Sequence, residues 1–110
     1  MAKFECTLQG DYDQALSYFH NGILNGSMSA SFEEESCFQS AGVRVTVRVY
    51  ERYSWSGGNR LSMTLTFVGD GEKLCLSGIA AGGSNGLFMK VNTWGEEAFL
   101  DTLRELAQQW

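Results

Sequence analysis

A chain of 110 residues, 44% hydrophobic, is long enough to bury a core as one domain spanning residues 1–110, and no apolar run approaches the length of a membrane span. A net charge of −5 and a pI near 4.7 argue against nucleic acid and anionic membranes as partners, because both bind through phosphates that Lys and Arg must neutralise. Three cysteines with no C-x-x-C pair and one histidine imply free thiols, a reducing compartment, no metal site and no cofactor.

"MAKFECTLQG" has no secretory h-region, which points to a cytoplasmic protein. Phe4, Cys6 and Leu8 alternate with polar residues, the period of a first strand with one buried face. At Asp11 the period changes: Tyr12, Leu16, Phe19 and Ile23 fall on one helical stripe, Asp11 is a good N-cap, and Gln14 stands at the reciprocal position. This helix is expected to end at Gly22 or Gly26. His20 lies at the margin of its apolar stripe and reads as a partly covered surface residue.

From Ser27 the period of two returns. Met28, Ala30 and Phe32 mark a second strand, and the Glu33-Glu34-Glu35 run with Cys37 reads as a solvated loop. Val43, Val45, Val47 and Val49 alternate with Arg44, Thr46, Arg48 and Tyr50, so the valines are expected to face the core and the arginines water. Residues 43–60 hold four arginines against Glu51 alone, and "RVYERYSW" interleaves arginine with aromatics as anion sites do. The simpler reading is an outer sheet face whose arginines pair with nearby carboxylates.

Leu61, Met63, Leu65 and Phe67 form the next strand; a three-residue loop at 57–59 sets Val49 opposite Phe67. Asp70-Gly71 is a hairpin signal that places Phe67 against Leu74 and Leu65 against Leu76. "GIAAGGSNG" (residues 78–86) matches neither phosphate-binding glycine pattern and is read as a second hairpin, with its register open within 82–86, leading to a strand over Leu87–Asn92. Gly78 and Gly82 exceed what a tight turn needs, which suggests a bulge or a close approach. Thr93 and Glu96 form a capping box for a last helix with the stripe Phe99, Leu103, Leu106 and Trp110.

The order is β-α-β5-α: an α+β antiparallel sheet with two helices on one face, similar to helix-grip or TBP-like architectures. Two binding regions follow. Arg48, Tyr50, Arg52, Val68, Ile79, Phe88 and Trp94 are candidates for an exposed interface, whereas Val47, Met63, Leu65, Leu76, Phe99 and Leu103 would line any cavity between sheet and last helix. The nearly all-apolar inward positions point away from an enzyme, leaving a module that self-associates or binds a partner or an unidentified small ligand, or a carrier with that cavity.

"ILNGSMSAS", "VRVYERYS", "FVGDGE" and "GGSNGLFMKVNTWGEEAFLDTL" together span nearly the whole chain. In them the chain resembles an uncharacterised family of small bacterial proteins, mainly from Firmicutes, formed by a domain of unknown function. The resemblance implies a bacterial cytosolic protein and brings no catalytic residue with it.

Overall fold

The computed structural model describes residues 1–53, 60–82 and 89–110, with side chains of the last helix from Trp94 onward. Its elements are β1 (Ala2–Gln9), α1 (Tyr12–Asn25), β2 (Ser31–Ser40), β3 (Val43–Tyr53), β4 (Arg60–Asp70), β5 (Lys73–Gly82) and α2 (Met89–Gln109). The strands form one antiparallel sheet in the order β1-β5-β4-β3-β2, and both helices pack on the same side of it. The α+β antiparallel architecture expected from the alternating periods is therefore present, with five strands among the described residues.

The sixth strand expected over Leu87–Asn92 is absent from the ladder, because residues 89–92 already belong to α2. Its place is occupied. β1 pairs along all of its length with β5, Ala2 opposite Ala80 through Gln9 opposite Lys73, and so takes the edge a hairpin partner would have used. The supposed capping box falls inside the helix accordingly, and Glu96, 4% exposed, accepts the Gly82 N–H at 2.7 Å instead. The turn expected within 82–86 and the loop at 57–59 lie outside the described residues.

The first helix begins as its sequence dictates: Asp11 is extended (φ −77, ψ 131) and its carboxylate accepts the Gln14 N–H at 2.9 Å. It runs to Asn25, and Gly26 closes it in a right-handed conformation rather than a left-handed cap. Its apolar stripe, Tyr12, Phe19 and Ile23 with Ala15, meets Leu61, Met63, Leu65 and Phe67 of β4 and Leu74 and Leu76 of β5, all at most 6% exposed. Tyr12 meets Phe67 edge-on, with centroids 5.4 Å apart.

Turn chemistry moves two registers. Gly71 has φ +68 at the first central position of the β4–β5 turn, so Asp70 pairs with Lys73 and Phe67 with Leu76. That is two residues from the register expected with Asp70-Gly71 at the centre, and a shift of two keeps the same side chains inward. A further hairpin joins β2 to β3 through Ala41 and Gly42, both at positive φ (52 and 80), so the Glu33–Glu35 and Cys37 region is strand rather than the expected loop.

β3 pairs in a register that differs from the expected one by an odd number of residues. Val49 lies opposite Thr64, not Phe67, and Tyr50 opposite Met63. An odd shift exchanges the faces. Arg44, Thr46, Arg48, Tyr50 and Arg52 therefore point to the helix side, and Val43, Val45, Val47 and Val49 to the other. The cause lies in the helix layer: α2 packs mainly on β5, β1 and β4, leaving the inner side of β3 to long side chains that lie over aromatic rings.

Candidate functional site

Two surfaces carry the groups of interest. The first is the helix-free face of the sheet. Pairing places Phe38 beside Val45, Val45 beside Val68, Val47 beside Thr66 and Val49 beside Thr64, with Cys75, Ser77 and Ile79 following on β5. Nothing among the described residues covers this face: Phe38 is 62% and Ile79 39% exposed, and the valines are half-buried only by one another. The chemistry at its centre is neutral, a band of valines bordered by threonine and serine hydroxyls. Charges sit at its margins, where Lys3 pairs with Glu5 at 3.4 Å and Arg60 with Glu51. A shallow depression of about 350 Å³ between β1, β5 and β4 lies on the same face, bordered by Thr7, Thr66, Val68 and Cys75.

The second is a polar cluster under α1. His20 Nδ1 lies 2.8 Å from the Tyr50 hydroxyl, and both rings contact Phe32 at centroid separations of 5.3 and 5.6 Å. Arg48 donates through Nε to Glu35 at 2.5 Å, and its guanidinium lies over the Phe32 ring. Burial and the Arg48 charge hold the His20 pKa below 6.5, with Glu35 opposing. Burial raises the Tyr50 pKa above 10.0 although Arg48 pulls the other way. The Arg48 hydrogen bond keeps the Glu35 carboxyl below its ordinary 4.5. Tyr50 is 0% exposed, so its hydroxyl is out of reach of a substrate in solution, and the cluster ties α1 to β2 and β3.

The two sets of candidate residues are redistributed by this geometry. Of the interface set, Val68 and Ile79 stand on the helix-free face, while Arg48, Tyr50 and Arg52 turn inward with the rest of their side of β3. Trp94 lies on α2 and is 54% exposed; Phe88 lies outside the described residues. Of the cavity set, Met63, Leu65, Leu76, Phe99 and Leu103 are at most 2% exposed in the shared core, and Val47 lies on the opposite face. The space where a carrier would hold ligand is closely filled there: a Cβ built on Gly78 would collide with the Leu103 side chain and touch Leu100 at 3.4 Å. Gly78 is thus a point of close approach, to the Leu103 side chain rather than to another backbone.

The inward positions are also less apolar than expected, since β3 contributes three arginines, a threonine and a tyrosine. The signal available for this was the apolar faces of β4 (Leu61, Met63, Leu65, Phe67) and β5 (Leu74, Leu76, Ala80), which are complete without the valines. The carboxylate run does meet the arginines: Glu35 pairs with Arg48, and Glu33 lies 3.8 Å from Arg60. No group of three metal-ligating side chains converges among the described residues. The cysteines are free; Cys6 is on the inner face with its thiol pKa raised by burial, and Cys37 and Cys75 are exposed.

With the geometry in view, comparison with known families gives one match, over residues 1–110. The chain belongs to the family of unknown function DUF6054. No curated protein and no solved structure matches this DUF6054 chain. No helix among its described residues is long and apolar enough to cross a membrane.

Proposed function

We propose that this DUF6054 chain is a non-enzymatic module of the cytoplasm that acts by self-association through the helix-free face of its sheet. The observation that carries the reading is the neutral valine band on a face no helix covers. Five strands at about 4.8 Å spacing and ten residues at about 3.3 Å give a face of about 800 Å², which matches the roughly 800 Å² per partner of a standard stable interface. A second copy is favoured over an unrelated charged partner because the centre of the face carries no charge, and the like charge of two −5 chains is kept to the rim. Two copies can meet there across a twofold axis with their charges at the rim. The free thiols of Cys6, Cys37 and Cys75 suit a reducing cytoplasm.

Cys75 provides the test, because it lies on this face and is exposed in one chain, as is Cys37 on the other side of the sheet. Alkylation of Cys75 by iodoacetamide is expected to slow as protein concentration rises, while that of Cys37 stays constant. A Cys75 rate independent of concentration contradicts the reading, and slowing confined to Cys37 points to pairing through the β2 edge instead.

A further inference from the structure

All five arginines lie among the described residues, and four are paired: Arg44 with Asp13, Arg48 with Glu35, Arg60 with Glu33 and Glu51, and Arg104 with Glu97 and Asp101. Arg52 has no carboxylate within 4.0 Å among the described residues. Those residues include every Asp and Glu of the chain, since 54–59 and 83–88 contain neither and the side chains of 89–93 are not acidic. Among the described residues Arg52 therefore lacks a counter-charge.

Arg52 is not simply a surface cation. It projects to the helix side opposite Leu61, and its guanidinium carbon lies 4.5 Å from the centroid of Phe99, itself 1% exposed. Burial pushes its pKa down, an unfavourable position for a charge with no counter-charge. Stacking on Phe99 occupies the face of the guanidinium and leaves the N–H fork at its edge to other partners.

That side chain borders a cavity of about 360 Å³ lined also by Ser27, Ser29, Tyr53, Leu61 and Gly95. The hydroxyls can be counted. Ser29 Oγ accepts the Tyr53 N–H at 3.1 Å and lies 3.2 Å from Ser27 Oγ, a contact that uses one hydroxyl hydrogen and leaves the other to donate. Among the described residues the site thus presents a guanidinium fork, one hydroxyl donor and an apolar floor.

We propose that Arg52 and the Ser27–Ser29 pair form a binding site for a small carboxylate whose body is apolar. A planar carboxylate matches the fork in two parallel hydrogen bonds. One arginine on a chain of charge −5 suits a monoanion better than a phosphate dianion, which needs more positive charge. Leu61 and the exposed Met28 also line the cavity and are placed to hold the apolar part. The site lies on the helix side of the sheet and is independent of the self-association face.

The test follows the Arg52 Nε–Hε resonance by NMR while sodium benzoate, benzamide or phenyl phosphate is added to the full chain. Benzoate is expected to shift that resonance with a Kd on the order of 1 mM, and benzamide, which lacks the charge, to leave it in place. Arg52→Gln should weaken benzoate binding, read on the Tyr53 amide, by about tenfold or more, and Arg52→Lys by less, because Lys keeps charge without the fork. No shift at about 20 mM benzoate, or equal affinity in Arg52→Gln, overturns the proposal. Tighter binding of phenyl phosphate than of benzoate overturns the carboxylate assignment. If Arg52→Gln does not fold, the wild-type comparison of benzoate with benzamide decides by itself.

Discussion

Exchanging the faces of β3 makes Tyr50 a core residue and Val47 a surface one, the reverse of what alternation suggests, and a pair of truncations separates the two cases. Tyr50 is 0% exposed, packs against His20 and Phe32, and bonds His20 Nδ1 through its hydroxyl. Removing a buried aromatic ring costs about 3–5 kcal/mol, and the unpaired imidazole nitrogen adds about 1 kcal/mol or more. Tyr50→Ala should therefore lose at least about 4 kcal/mol, a large share of the roughly 5–15 kcal/mol that holds a domain of this size. Val47 is half-buried with no helix above it, so Val47→Ala should cost the isolated chain less than about 1 kcal/mol. In urea melts followed by circular dichroism, with a slope of about 1.5 kcal/mol/M, the midpoint falls by more than about 2.5 M for Tyr50→Ala and by less than about 0.7 M for Val47→Ala. Melts at two protein concentrations separate the contribution of self-association. A Val47→Ala midpoint that falls as far as that of Tyr50→Ala would refute the assignment of faces.

Gly78→Ala should lose about 1–3 kcal/mol, since the new methyl group meets Leu103, which is 0% exposed and has nowhere to move unless α2 shifts; a neutral result in the same melts would mean that α2 sits higher above the sheet. The chain's one histidine gives a clean pH test. His20 has a folded-state pKa below 6.5, so the unfolded chain takes up a proton first, and its contribution to stability, complete above that value, is lost as pH falls. The wild-type melting temperature is expected to drop between about pH 7 and pH 5 more than that of His20→Gln; parallel curves would contradict it. Glu35 titrates below this window because its own pKa is lowered from 4.5.

How far the sequence is legible depends on whether a local pattern had a competitor. Asp11 and the stripe through Tyr12, Phe19 and Ile23 had none, and α1 starts where they indicate. Leu61, Met63, Leu65 and Phe67 were likewise unambiguous, because their alternate positions are serine and threonine. In β3 both alternating sets can be buried: valine by burial of its whole side chain, arginine by laying its stem and guanidinium over a ring. Only long-range pairing decides between them, and it set Tyr50 against Met63. The sixth strand failed for a similar reason. Nothing local to Leu87–Asn92 records that β1, some 80 residues earlier in the chain, pairs with β5 at Ala80. The Arg52 site follows from the same exchange of faces, since an arginine expected in water raises no question about its counter-charge.

Light scattering on the intact chain, beside Val47→Glu, tests self-association through the helix-free face most directly. The wild type at about 100 µM is expected to have twice the chain mass of 12.2 kDa, and Val47→Glu, which places a carboxylate at the centre of the face, to have that mass once. A wild type of 12.2 kDa at that concentration, or a Val47→Glu variant that stays paired, would contradict the account.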